Sequence, residues 1–206
     1  MTQQIDHQRS LRICRSYLFC IAFTLLIIGI IIWKLQLYPF GDHYLRYMDG
    51  DQYFGFYGYL QDSFFSNNDR IYSWSMALGN GMLGTFAYYA SSPFNLLLVL
   101  FKNDLILGTE VIAFLKILFI SCCFCTLLNS CDESQECDEF HEMEKGIFSA
   151  AYAFIGYVVF YAWNTSWLDG VGFLPLMVLG LKRLLNDRKN AYMFWCLPLP
   201  YSLIFI

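Results

Sequence analysis

Apolar residues in this chain gather into long unbroken runs separated by short polar stretches, with little helical or strand-like alternation. Residues 17–33 form an uncharged apolar run that would be about 26 Å long as a helix, near the thickness of a bilayer's hydrocarbon core. A second run covers 105–128 and is interrupted in charge only by Glu110 and Lys116. Shorter runs follow at 147–163 and 167–181, and a last one begins near Ala191. With their flanks these predict membrane spans at about 17–37, 105–128, 147–163, 167–184 and 191–206, with a segment 38–104 between the first two. Residues 92–101 (SPFNLLLVLF) are apolar too, but only about 15 Å long as a helix, a length that favours lying in the interface or re-entering over crossing.

Composition turns that pattern into a class. Hydrophobic types make up 57% of 206 residues, aromatic types 19% and charged types only 15%, against about 25% charged in ordinary soluble chains. The mean hydropathy is +0.44. A water-soluble domain of this size could not bury so much apolar surface, and disordered chains are polar and poor in aromatics. The expected fold is therefore an all-α, polytopic bundle of transmembrane helices in a single domain. A net charge of −4 without a basic block speaks against a nucleic-acid partner. Six of the eight cysteines lie in or beside apolar runs, where Cys acts as a small hydrophobe. Cys131 and Cys137 with His141 lack a fourth ligand and close pairing, so no metal site is expected.

Positive charge orients the spans. Arg9, Arg12 and Arg15 precede the first run, which keeps the N-terminus cytoplasmic. The sequence after Trp33 offers no small-residue cleavage site, so the first run is an uncleaved span and not a signal peptide. If 92–101 does not cross, the basic loop with Lys182, Arg183, Arg188 and Lys189 faces the cytoplasm; if it crosses, that loop lands outside. The positive-inside rule selects the first arrangement and leaves 38–104 as one large external segment. A loop of that length is uncommon unless functional or disordered, and this one is too aromatic for disorder. Residues 52–65 within it fit an amphipathic helix at the membrane surface.

Candidate chemistry concentrates there. Asp49-Gly50-Asp51-Gln52-Tyr53 places two carboxylates just before the aromatic helix. A carboxylate where the outer leaflet meets water can act as a general base, its pKa tuned by partial burial. Around Gly50 the two acids could also converge on a divalent cation; each taken singly is more often a solvated loop acid. Glycines at 79, 81 and 84 suit tight turns, but no phosphate-loop pattern is present. Two further charges fall in or near apolar runs. Lys116 is a functional candidate by its intramembrane position: in a cavity it could meet the phosphate of a lipid-linked substrate, or else pair with Glu110 or snorkel outward. Asp169, between two runs, would cap a helix or face the same cavity.

Taken in order, several of these stretches resemble the bacterial YfhO membrane-protein family: Tyr38-Pro-Phe-Gly41, the Asp49/Asp51-Gln52-Tyr53 cluster, Tyr72-Ser73-Trp74 and its following glycines, and Tyr88-Tyr89. Ser92-Pro93-Phe94-Asn95-Leu96-Leu97, Leu115-Lys116, Ser149-Ala-Ala-Tyr152-Ala153, Asn164…Trp167-Leu168-Asp169 and Leu174-Pro175-Leu176…Gly180-Leu181 complete it. That family is similar to GT-C type integral-membrane glycosyltransferases. The resemblance implies a cytoplasmic N-terminus in the bacterial plasma membrane and a large first external segment with short interfacial helices. It further implies a polyprenyl-phosphate-linked sugar as donor and an envelope glycopolymer as acceptor. Carried onto this chain, the catalytic base would be Asp49 or Asp51, with Gln52, Tyr53, Lys116 and Asp169 as substrate-binding candidates; Lys116 owes its place to its position and not to the family. No cofactor is firmly implied beyond the cation considered above. Family members are several-fold longer, so the chain would correspond to an N-terminal portion, inactive by itself.

Two other classes compete. A transporter or lipid flippase would distribute intramembrane charges along a pathway and often repeat its halves, and no repeat is found. A non-catalytic scaffold would have no need for paired acids. The orientation is testable at once: a thiol-reactive tag placed between residues 186 and 190 should resist membrane-impermeant reagents applied to intact cells, and ready labelling would reverse the topology.

Overall fold

The computed structural model of the chain describes residues 2–45, 50–65, 72–73, 79–81, 92–133, 141–162 and 164–186. Asp49 and the predicted span at 191–206 lie outside them. Helix α1 runs Thr2–Leu35 and α2 Gly50–Phe65; a two-residue antiparallel ladder pairs β1 (Tyr72–Ser73) with β2 (Asn80–Gly81). A 3-10 helix, Pro93–Phe101, precedes α3 (Leu105–Glu133), and α4 (Glu142–Ala153), α5 (Gly156–Phe160) and α6 (Thr165–Asn186) follow. The described chain is mostly helical, and two of its helices are long and apolar enough to cross a membrane, over His7–Leu35 and Leu105–Cys131.

Side-chain contacts fix the helix directions. Tyr17 shares a 2.8 Å hydrogen bond with Thr126, Thr24 donates to Ser121 at 2.9 Å, and Ile28 packs with Ile117. As α1 ascends, α3 descends, so the two are antiparallel. Gly146 of α4 lies against Phe19 and Cys20, and Ala153 joins Ile28, so α4 runs parallel to α1. Gly172 of α6 meets Phe119 and Ile120, while Lys116 reaches Thr165, so α6 runs parallel to α3. In lipid no hydrophobic drive pulls helices together; close packing of small residues and interhelical hydrogen bonds do that. The seam of Cys20, Ser121, Gly146, Ser149 and Ala150 supplies both.

The run 147–163 does not form one helix. His141 precedes α4 and its backbone N–H donates to the Glu144 carboxylate at 3.0 Å, so the helix starts before the apolar run. It ends at Ala153; the Phe154 N–H folds back on the Ala150 and Ala151 carbonyls, and Gly156 opens the short α5. Apolarity counts residues but is blind to a break next to a weak helix former such as glycine. Pro175 inside α6 has no N–H for the Val171 carbonyl four residues earlier. That carbonyl instead accepts the Tyr152 hydroxyl at 3.1 Å, so the cost of the proline is offset by a tie to α4.

Segment 36–104 begins and ends at the same end of the bundle. Gln36 turns the chain out of α1 with a φ of 49°, a left-handed conformation unusual for a residue with a side chain. The turn is held by His43 N–H to the Gln36 carbonyl (3.0 Å) and Tyr38 N–H to the His43 carbonyl (2.7 Å). A side chain at Gly41 would run into the Gln36 carbonyl. One carboxylate then closes the segment: Asp104 caps α3 by accepting the Leu107 N–H (3.0 Å) and accepts the Tyr38 hydroxyl (2.7 Å) on its other oxygen. Glu110 accepts the Leu45 N–H at 3.0 Å.

Two measurements test this framework. A methyl group at position 146 would meet Phe19 and Cys20 backbone atoms, so Gly146→Ala should lower stability in detergent by about 1–3 kcal/mol through overpacking. Gly170→Ala, which meets open space, should raise it by about 0.5–1 kcal/mol. The Asp104 clasp should depend on pH. Hydrogen bonds from Leu107 and Tyr38 hold the Asp104 carboxyl below the ordinary range, and the same carboxylate holds the Tyr38 phenol above its own. The carboxylate's contribution is thus complete above the usual carboxylate value of about 3.9 and is lost as pH falls through its lower folded value. The tyrosine's contribution is complete below about 10 and is lost as pH rises through its higher folded value. Thermal melts across pH should show the acid limb flattened in Asp104→Asn and the alkaline limb flattened in Tyr38→Phe.

Candidate functional site

Lys116 and Asp169 meet. Both side chains are fully enclosed, and Lys116 Nζ stands 2.9 Å from Asp169 Oδ2. Burying two ions costs several kcal/mol each and is repaid only where geometry and further hydrogen bonds are good. Here Nζ also donates to the Thr165 carbonyl at 2.9 Å and lies 5.7 Å from the centroid of the Phe94 ring. Asp169 and Thr165 are one turn apart in the first turns of α6, so a single lysine binds both levels of that helix end.

Four stretches distant in sequence build this point. α3 contributes Lys116 and α6 contributes Thr165 and Asp169. The 3-10 helix places Phe94 over the ammonium and, edge-on, against Phe119 at 5.4 Å. α2 contributes Tyr57, whose hydroxyl shares a hydrogen bond with the Thr165 hydroxyl. Tyr57 is only 1% exposed and packs with Leu60, Leu98 and Ile112. Burial, opposed by the Thr165 hydrogen bond and reinforced by the negative Asp169, pushes its phenol up to about 12. Tyr57 therefore remains a protonated donor at any physiological pH. Gln61, one turn on, donates to the Leu98 and Phe101 carbonyls at 2.7 and 2.9 Å, which ties α2 to the carbonyls at the end of the 3-10 helix. Ser92 and Asn95 are buried on the inward face of that helix; Ser92 stands at its N-cap without a side-chain capping bond, and Pro93 opens its first turn.

The candidates named from sequence distribute unevenly. Lys116 and Asp169 come together directly, and Lys116 takes Asp169 as its partner; Glu110, a turn and a half away, is turned to the Leu45 N–H. The Lys116 side chain is fully enclosed and paired to Asp169. Asp51, Gln52 and Tyr53 lie in the first turn of α2, with Asp51 six residues, or about 9 Å along the axis, ahead of Tyr57. Asp49 lies outside the described residues. Among the described residues no group of three or more His, Cys, Asp or Glu is placed to hold a metal ion.

Tyr57, Thr165 and Asn95 were not singled out as site residues. The available signal was a physical one: two lone opposite charges in apolar runs of the same bundle have every reason to find each other. Of the polar residues flanking them, Thr165 meets Lys116 through its backbone carbonyl. The stretches Ser92–Asn95, Leu115-Lys116 and Trp167-Leu168-Asp169 all border this one point.

No curated protein and no solved structure matches the chain. The family model described as "Bacterial membrane protein YfhO" matches residues 19–203, which includes every element that meets at the Lys116–Asp169 pair. The chain belongs to the YfhO family of bacterial membrane proteins.

Proposed function

We propose that this chain serves an integral-membrane glycosyltransferase of the GT-C type, moving a sugar from a polyprenyl-phosphate carrier to an envelope glycopolymer at the outer face of the bacterial plasma membrane. The observation that carries the reading is the placement of α2. The helix bearing Asp51 in its first turn is anchored through Tyr57 and Gln61 at the end of the bundle where segment 36–104 both leaves and returns. An acid-bearing helix held against apolar helices, on the side assigned to the outside by the positive-inside rule, is where a lipid-borne donor and a water-borne acceptor would meet.

In this mechanism Asp49 or Asp51 removes the proton from an acceptor hydroxyl as its oxygen attacks the anomeric carbon. The bond from that carbon to the phosphate oxygen breaks, the electron pair leaves with the lipid phosphate, and the anomeric configuration inverts. In this reading Gln52 and Tyr53, on the same helical turn as Asp51, bind donor or acceptor hydroxyls. A phosphate contact by Lys116 would require the ammonium to exchange Asp169 Oδ2 for the donor. A transporter or flippase is the second reading, favoured by one observation: an ion pair fully enclosed among apolar helices, a feature common along translocation pathways.

Asp49→Asn and Asp51→Asn, made at the matching positions of a longer member of the family and assayed in proteoliposomes with a polyprenyl-phosphate sugar, separate these readings. At least one should lower transfer by about 100-fold or more, the contribution of a positioned base, with membrane insertion unchanged. Undiminished transfer in the double variant would exclude the carboxylate mechanism. Lipid scrambling without sugar transfer would support the flippase.

A further inference from the structure

The enclosed pair has a consequence for α2, which neither Lys116 nor Asp169 touches in sequence. The chain of contacts is short and polar throughout. Lys116 Nζ joins Asp169 Oδ2 and the Thr165 carbonyl, each at 2.9 Å; the Thr165 hydroxyl joins Tyr57; and Tyr57 sits in the middle of α2. Thr165 is the first residue of α6, where the helix has no preceding turn to hold it. The lysine bonded to its carbonyl and to the acid one turn later fixes that end. Only with that end fixed does the Thr165 hydroxyl offer Tyr57 a partner of defined position.

The geometry points to Lys116 and Asp169 as a positioning pair: through Thr165 and Tyr57 they set where α2, and with it the Asp51 backbone, stands over the bundle. The pair's charge is thus not presented to substrate. It is consumed in holding the start of α6, and Tyr57 transmits that placement to α2. Phe94, whose ring lies over the ammonium, draws the 3-10 helix to the same point, and Gln61 binds that helix to α2 in turn. The effect on sugar transfer rests on the reading of Asp51 as a base; the effect on α2 does not.

That separation decides the experiment. Hydrogen exchange is followed by mass spectrometry on the full chain in lipid nanodiscs, for Tyr57→Phe, Lys116→Met and the double variant Lys116→Met/Asp169→Leu, with sugar transfer assayed for the same substitutions in a longer member of the family. Tyr57→Phe keeps the ring and removes the buried hydrogen bonds of its hydroxyl to Thr165 and Asn95, so exchange across α2 should accelerate about five- to tenfold, with α1 and α3 unchanged. Lys116→Met leaves a carboxylate buried alone and should loosen both α2 and the start of α6. The double variant removes the cost of a lone buried charge, because apolar residues can replace a buried ion pair. Yet it also removes the tie from Lys116 to the Thr165 carbonyl, so overall stability should recover while α2 exchange stays about as fast as in Tyr57→Phe. Equal α2 exchange in Tyr57→Phe and the parent overturns the proposal. So does a double variant whose α2 exchanges as slowly as in the parent, because the placement of α2 would then not depend on the pair. In transfer, Tyr57→Phe should lower kcat and leave the donor KM unchanged. If α2 loosens as expected while Asp51→Asn and Asp49→Asn retain transfer, the positioning role stands and the base assignment fails.

Discussion

Two opposite charges enclosed among apolar helices have no solvent to fall back on, and the arrangement of this bundle follows from where they meet. Lys116 lies twelve residues into α3, and Asp169 lies in the first turns of α6. Pairing them sets α6 to begin partway down α3 and leaves the upper turns of α3 uncovered on that flank. α2 and the 3-10 helix fill the space, with Leu60, Leu98 and Ile112 packed together and Gly108 close against Phe101. Removing one partner of such a pair commonly costs about 3–5 kcal/mol, while replacing both can cost nothing. What the pair supplies is thus register more than stability.

Around that point the segment 36–104 is secured at three levels. The Asp104 carboxylate ties the turn after α1 to the cap of α3. Glu110 holds the Leu45 backbone a turn and a half lower. Tyr57 and Gln61 bind α2 to α6 and to the 3-10 helix. Each tie joins residues far apart in sequence, and the enclosed ones use polar groups that would be costly to leave unmet in an apolar setting. The membrane character of the family and the two long apolar helices agree with this economy of polar contacts.

Much of the architecture could be read from residue order. Long apolar runs announce α1 and α3, because a bilayer demands about twenty apolar residues and little else does. The aromatic stretch at 52–65 coincides with α2, since its pattern of rings and small polar residues leaves one face to bury. The division of 147–163 into α4 and α5 was hidden, because hydropathy does not register where backbone hydrogen bonds are exchanged at Phe154. The 53-residue separation of Lys116 and Asp169 hid their pairing: Glu110, close in sequence, was the nearer partner on paper, and only the parallel course of α3 and α6 brings Asp169 alongside. Tyr57 is hard to pick out among many tyrosines, since only the hydrogen bonds of its hydroxyl distinguish it from a lipid-facing ring.

The most direct test of the account is spectroscopic. Solid-state NMR on protein in bilayers, with nitrogen-labelled lysine and carbon-labelled aspartate, would report whether Lys116 Nζ is a charged ammonium dipolar-coupled to the carboxylate carbon of Asp169. The account predicts a strong coupling that persists when a polyprenyl-phosphate donor is added and disappears in Asp169→Leu. A neutral, uncoupled Lys116, or a coupling that donor phosphate displaces, would contradict it.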